Sequence, residues 1–114
     1  AAGSWGAAVN LGKSINTTED DFDGAFLHDD RTIVFSSGDL EGKEVRLFAA
    51  APRGGGYDRR MPLGPDVNTA GHWTLGPAVS SREPGVLYFS AAREGGPGRM
   101  DIYRIAYRVP GPRH

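Results

Sequence analysis

The residues best placed by type and spacing to do chemistry are the acids of Glu19-Asp20-Asp21-Phe22-Asp23-Gly24. Glu19, Asp21 and Asp23 alternate ahead of a glycine, as at the opening of a calcium loop, where oxygen ligands gather round one hard cation. Such a loop ends in a bidentate glutamate, and Asp30 occupies that place here. A solvated loop whose carboxylates cap turns is the simpler reading, so calcium is a secondary expectation and no other cofactor is expected. The three histidines, His28, His72 and His114, have no helical i, i+4 partner; without cysteine, a zinc site would need them to converge from distant parts of the fold. Ser36, Ser37 and Ser90 lie in strand-like runs without the G-x-S-x-G elbow that exposes a nucleophile. Catalysis has no handle in these residues, and a non-enzymatic role is expected.

Recognition has more to work with. Trp73 beside His72 can stack on a sugar or a peptide, and its structural alternative is a wedge between packed units. Arg93 and Arg99 flank Glu94 and a glycine turn and can hold a carboxylate or phosphate, although a stabilising role for Arg93 is preferred. Trp5 and Tyr57 form a recurring aromatic pair of the sort a lectin-like protein would repeat. Asp66, Asn68 and Asn16-Thr17 read as loop anchors that hydrogen-bond nearby backbone.

The elements that position these residues follow from an internal repeat. Leu11-Gly12 with Ile15-Asn16-Thr17 recurs as Leu63-Gly64 with Val67-Asn68-Thr69, 52 residues later. The same offset pairs Trp5 with Tyr57 and Gly24-Ala25-Phe26-Leu27 with Gly76-Pro77-Ala78-Val79. Thr32–Ser37 then matches Val86–Ala91 at an offset of 54, and Arg46-Leu47-Phe48 matches Asp101-Ile102-Tyr103 at 55. The extra residues fall in turns, where insertion is cheap. A period near 50 with several short apolar runs per copy, and no stripe at 3.6 spacing, is that of a four-stranded propeller blade. The expected strands are Ala25–His28 and Pro77–Ser80 (inner), Thr32–Ser37 and Val86–Ala91 (central), Glu44–Ala50 and Asp101–Tyr107 (third), and Trp5–Leu11 and Tyr57–Leu63 (outer). Turns are expected at residues 29–31, 39–43, 53–56, 83–85 and 95–98.

Composition sets the outer bounds. The 114 residues suit one domain, and 39% hydrophobic content builds a core without being membrane-like. A net charge of −1 with both signs interleaved gives no footprint for nucleic acid. No apolar run approaches the roughly 20 residues of a membrane span, so membrane insertion is not expected. The absence of cysteine removes disulfides and thiol chemistry.

The repeat resembles the TolB-like, WD-like (PD40-type) propeller repeats of bacterial envelope proteins. The resemblance rests on Trp5-Gly6, Asn10-Leu11-Gly12 and Ile15-Asn16-Thr17, on Leu87-Tyr88-Phe89-Ser90 with Arg93, Gly95-Gly96 and Gly98, and on Asp101-Ile102-Tyr103-Arg104. The first copy departs from it, with Arg46-Leu47-Phe48 where the family has Asp-Ile-Tyr and Ser37-Gly38-Asp39 in place of Ser-x-Arg. The resemblance implies an all-β fold of two four-stranded blades, about 5–56 and 57–109, with a 110–114 tail and a periplasmic or secreted location. In such a propeller Trp73 would stand near the channel mouth.

Two blades do not close a ring. The copies are phased one outer strand early and one outer strand short, so the ring is expected to be completed by oligomerisation, three chains giving six blades, or by blades of a longer chain. The expected role is a binding or scaffolding module for a protein, peptide or glycan. The alternatives are a lectin-like sugar-binding oligomer and the accessory propeller of a hydrolase.

Overall fold

The computed structural model describes residues 3–42, 44–95 and 99–109. Residues 96–98 of the expected 95–98 turn and the 110–114 tail with His114 lie outside them. All regular structure among the described residues is β: β1 (Asp20–Phe26), β2 (Ile33–Gly38), β3 (Val45–Ala50), β4 (Pro52–Arg53), β5 (Gly56–Tyr57), β6 (Met61–Pro62), β7 (Thr74–Val79), β8 (Val86–Ala91) and β9 (Asp101–Ala106). They form an antiparallel sheet in the order β1-β2-β3-β6, a second in the order β7-β8-β9, and a small β4-β5 hairpin; none closes into a barrel.

The two larger sheets stack, with β7 lying over β1, β2 and β3. Successive side chains of a strand point to opposite faces, which gives each sheet a front and a back. Ile33 and Phe35 of β2 with Phe48 and Ala50 of β3 make the front of the first sheet, closed by Ile15 and the half-buried Tyr57. Val34 and Leu47 make its back and meet Leu87, Phe89 and Ala91 from the front of the second sheet, with Leu27 and Val67 between them. Back therefore packs on front. The back of the second sheet carries Tyr88, Ser90, Ile102 and Arg104, and Ile102 is 77% exposed.

Both inner strands begin earlier than expected, because each contains a β-bulge that carries pairing past the acidic or polar run before it, and both end sooner, leaving Leu27, His28 and Ser80 outside the strands. The bulge needs a left-handed residue, and Gly76 supplies it at φ 67 in β7. In β1 the same place is taken by Asp23 at φ 53, one of the few non-glycine types that tolerate this region. Ala25 and Ala78 pair with Val34 and Tyr88, which sets these strands in register at an offset of 53, where matching Gly24 to Gly76 gives 52.

The outer strands depart most. Residues 3–12 form no strand, and Trp5 (98%) and Val9 (80%) stand in solvent. A lone segment has nothing to hydrogen-bond to, and this one pairs with no described strand. Of Tyr57–Leu63 only Met61 and Pro62 pair, with Ala49 and Phe48 of β3, while Tyr57 turns back to pair with Pro52. Pro62 has no N–H to extend the ladder, which keeps this edge short.

Candidate functional site

The most elaborated region is the junction between the stacked sheets. The chain leaves β6 through Leu63, whose N–H donates to the Leu47 carbonyl (3.0 Å). It then makes a tight turn in which Val67 N–H and Asn68 N–H both donate to the Gly64 carbonyl. The Asn68 amide grips β3 from the side: its Oδ1 accepts from Leu47 N–H (2.8 Å), and its Nδ2 donates to the Leu47 (3.0 Å) and Leu63 (2.7 Å) carbonyls. Arg93 closes the turn from the other sheet, donating to the Asp66 and Val67 carbonyls at 2.8 and 3.1 Å. Its half-buried guanidinium lies over Tyr103 (4.6 Å) and Phe89 (5.7 Å) in a cation–π arrangement, with Nε buried and without a hydrogen-bond partner among the described residues. The left-handed Gly76 aims its N–H at Ser36 Oγ on the back of the first sheet (3.1 Å).

Trp73 and His72 work in the same junction. Val45 N–H donates to the His72 carbonyl, Val45 and Trp73 form a parallel bridge, and the indole Nε1–H reaches the Gly42 carbonyl at 3.4 Å. Trp73 is half-buried as a wedge between the sheets. At the other end His28 stacks on Tyr107; its Nε2–H donates to the Ser80 carbonyl (2.8 Å), and its Nδ1 accepts from Gly85 N–H (3.0 Å) and from the Tyr107 hydroxyl. The Tyr107 oxygen in turn accepts from His28 N–H (2.9 Å). These bonds engage both nitrogens of the ring.

Half of a second junction lies on the front of the first sheet. Residues 12–16 repeat the turn of 64–68, with Ile15 N–H and Asn16 N–H both donating to the Gly12 carbonyl. Ile15 is buried as Val67 is. Arg60 takes the part of Arg93: it donates to the Ile15 carbonyl (3.0 Å) and lies over Phe48 (4.1 Å) and Phe35 (5.6 Å). Its sequence position is unrelated, since the repeat places Asp39 opposite Arg93. Asn16, the counterpart of Asn68, has no strand to grip and donates to Asn10 Oδ1 instead (3.1 Å).

Asp21 sits under this half-junction with its side chain 7% exposed, ion-paired to Arg60 at 2.7 Å. It also accepts from Thr17 N–H (2.7 Å) and the Ser37 hydroxyl (2.5 Å). Burial pushes its carboxyl up, but the hydrogen bonds from Ser37, Thr17 and Arg60 together outweigh burial and hold it below 3.8. The donors that a calcium ion would replace are thus already present. Glu19 and Asp23 are exposed, and among the described residues no three acidic or histidine side chains converge on one metal-sized point. Two open clefts flank the turn. One, of about 310 Å³, lies between Glu19, Asp39, Glu44, Arg46 and Arg60, and one of about 140 Å³ lies between Leu11, Ile15, Asn16 and Asp23.

Of the residues singled out from sequence, the structure brings His72, Trp73 and Arg93 into one junction and gives each a structural contact. It separates Trp5, on the solvent-exposed arm, from Tyr57, packed beside the front cluster. Arg60 carried no repeat signal. Asn68 and Asn16 did, as anchors recurring in register. Comparison with known protein families, curated proteins and solved structures returns no match. Among the described residues no helix is long and apolar enough to cross a membrane.

Proposed function

We propose that the chain is a pair of β-propeller-type blades acting as a non-enzymatic binding or scaffolding module for a protein, peptide or glycan. The observation that carries this reading is the duplicated junction. One turn, with the same two hydrogen bonds to a glycine carbonyl and the same guanidinium over two rings, occurs at residues 12–16 and again at 64–68. A unit that offers a front to one neighbour and a back to the next is what radial repetition of blades requires. The side chains that chemistry would draw on are spent on holding loops: His28 on Ser80 and Gly85, Asp21 on Arg60 and Ser37, Arg93 on two carbonyls. The resemblance to envelope propeller repeats supports a periplasmic or secreted setting.

The test is a combined glycan and peptide array probed with the purified chain, with chromogenic ester, glycoside and peptide substrates assayed in parallel. Retention of a peptide or glycan class without turnover is the expected result. Turnover of any substrate, abolished by a single side-chain substitution, would overturn the reading in favour of an enzyme.

A further inference from the structure

We propose that the open back of the second sheet is docked by residues 9–17 of a second copy of this chain, as residues 61–69 dock on the back of the first sheet. The proposal rests on the blade reading above and names the neighbour.

The internal junction supplies the template, and each of its contacts has a counterpart at the chain's two ends, Asn16 there exchanging its bond to Asn10 for one to the strand. Leu47, which Asn68 and Leu63 bind through its backbone, corresponds by repeat to Ile102; Leu47 is fully buried and Ile102 is 77% exposed. Asn68 corresponds to Asn16 and Leu63 to Leu11, both on a turn already folded into the same shape. The β6–β3 pairing of Met61 with Ala49 and of Pro62 with Phe48 translates to Val9 with Arg104 and Asn10 with Tyr103. That would add a fourth strand to β9, whose outer edge no described strand covers. Gly76 N–H on Ser36 Oγ translates to the left-handed Asp23 N–H on Ser90 Oγ. The arm that would make these contacts is apolar and open to water, with Val9 80% and Leu11 45% exposed. The two clefts beside the 12–16 turn lie on the front of the first sheet, where the back of the neighbour on the opposite side would sit. Because front meets back, the contact is heterologous: one molecule's arm meets another's β9, and the pairing repeats around the assembly.

The chain has no cysteine, so an engineered disulfide reports this geometry alone. Val9→Cys and Arg104→Cys are made as separate full-length variants, mixed, and oxidised gently. Cross-strand partners lie within disulfide reach. The expected result is a covalent dimer at least ten-fold more abundant in the mixture than in either variant alone, and absent when the mixture is oxidised in urea. Light scattering of the wild-type chain is expected to give a multiple of the 12.2 kDa monomer. Ile102→Arg, at a solvent-exposed site, is expected to give monomer at all concentrations, with the unfolding midpoint of the wild-type chain diluted to monomer. A folded wild-type monomer at millimolar concentration would overturn the second-copy proposal and leave the face to a different blade. An assembly that persists without the mixed disulfide would overturn the placement of the arm. In both cases unchanged ligand retention on the array keeps the module reading intact, whereas turnover there defeats that reading independently.

Discussion

The two large sheets are built from one repeat and end in opposite circumstances. β2 is buried along both faces, whereas β8 is buried at alternate residues only. Their front faces are nearly interchangeable, Ile33, Phe35 and Phe48 in one against Leu87, Phe89 and Tyr103 in the other. Their backs share Ser36 with Ser90 and Leu47 with Ile102, yet Leu47 is core and Ile102 is surface. The same residue type in the same strand position is therefore worth very different amounts of stability, and the neighbour decides which.

The sharpest way to break that comparison is to truncate equivalent residues. Leu47→Ala should cost about 2–5 kcal/mol in urea unfolding, the range for deleting a fully buried leucine. Ile102→Ala in the dilute monomer should stay within about 0.5 kcal/mol. Equal costs would mean that the second sheet's back is covered. Next in size is Arg60→Ala, expected to destabilise by about 3 kcal/mol because it leaves the Asp21 carboxylate buried without its partner. Arg93→Ala, which takes a donor from each of two carbonyls but strands no charge, should cost about 1–3 kcal/mol by the same measurement. Acid sharpens the contrast further. Asp21 is held below 3.8 in the folded chain, so its contribution is complete above that value and is lost as pH falls through its folded pKa. Asp29 acts in the same sense: burial pushes it up, and hydrogen bonds from Thr32 and Arg31 outweigh burial. Guanidinium unfolding from pH 7 down to 2 should show Asp21→Asn losing less stability with acid than the wild type. The smallest effect is expected at Trp73→Phe, which keeps the wedge and gives up one long hydrogen bond, about 0.5 kcal/mol in thermal or urea unfolding.

How far the sequence could be read depended on whether the stabilising partner was local. Val86–Ala91 was legible to the residue, since alternating branched and aromatic side chains need only the pleat of their own strand. Asn68 was legible as a loop fastener because it recurs in register with Asn16, although the Asn16 amide binds the Asn10 side chain where backbone was expected. β1 was half-hidden: its acids argue for a loop, and only pairing with Ser36–Gly38 across the bulge makes Asp20–Phe22 a strand. The 53-residue register was invisible because it matches an aspartate to a glycine, an equivalence of backbone angle and not of residue type. The outer strand at Trp5–Leu11 was read from its likeness to Tyr57–Leu63, but a strand exists only when an edge is there to receive it. His28 offered a lone histidine and nothing of Tyr107, which lies 79 residues away.

Arg60 and Arg93 deliver a guanidinium to equivalent pairs of rings from places in the chain that bear no relation to one another. What the fold requires at each junction is a cation arriving in a slot, and it is indifferent to the route. That makes the slot a locus for intragenic suppression. In an Arg60→Ala background, Asp39→Arg would bring an arginine in from the position Arg93 occupies in the other copy. Recovery of the lost unfolding free energy by that second change would show that keystones can migrate between loops while the arch above them stands.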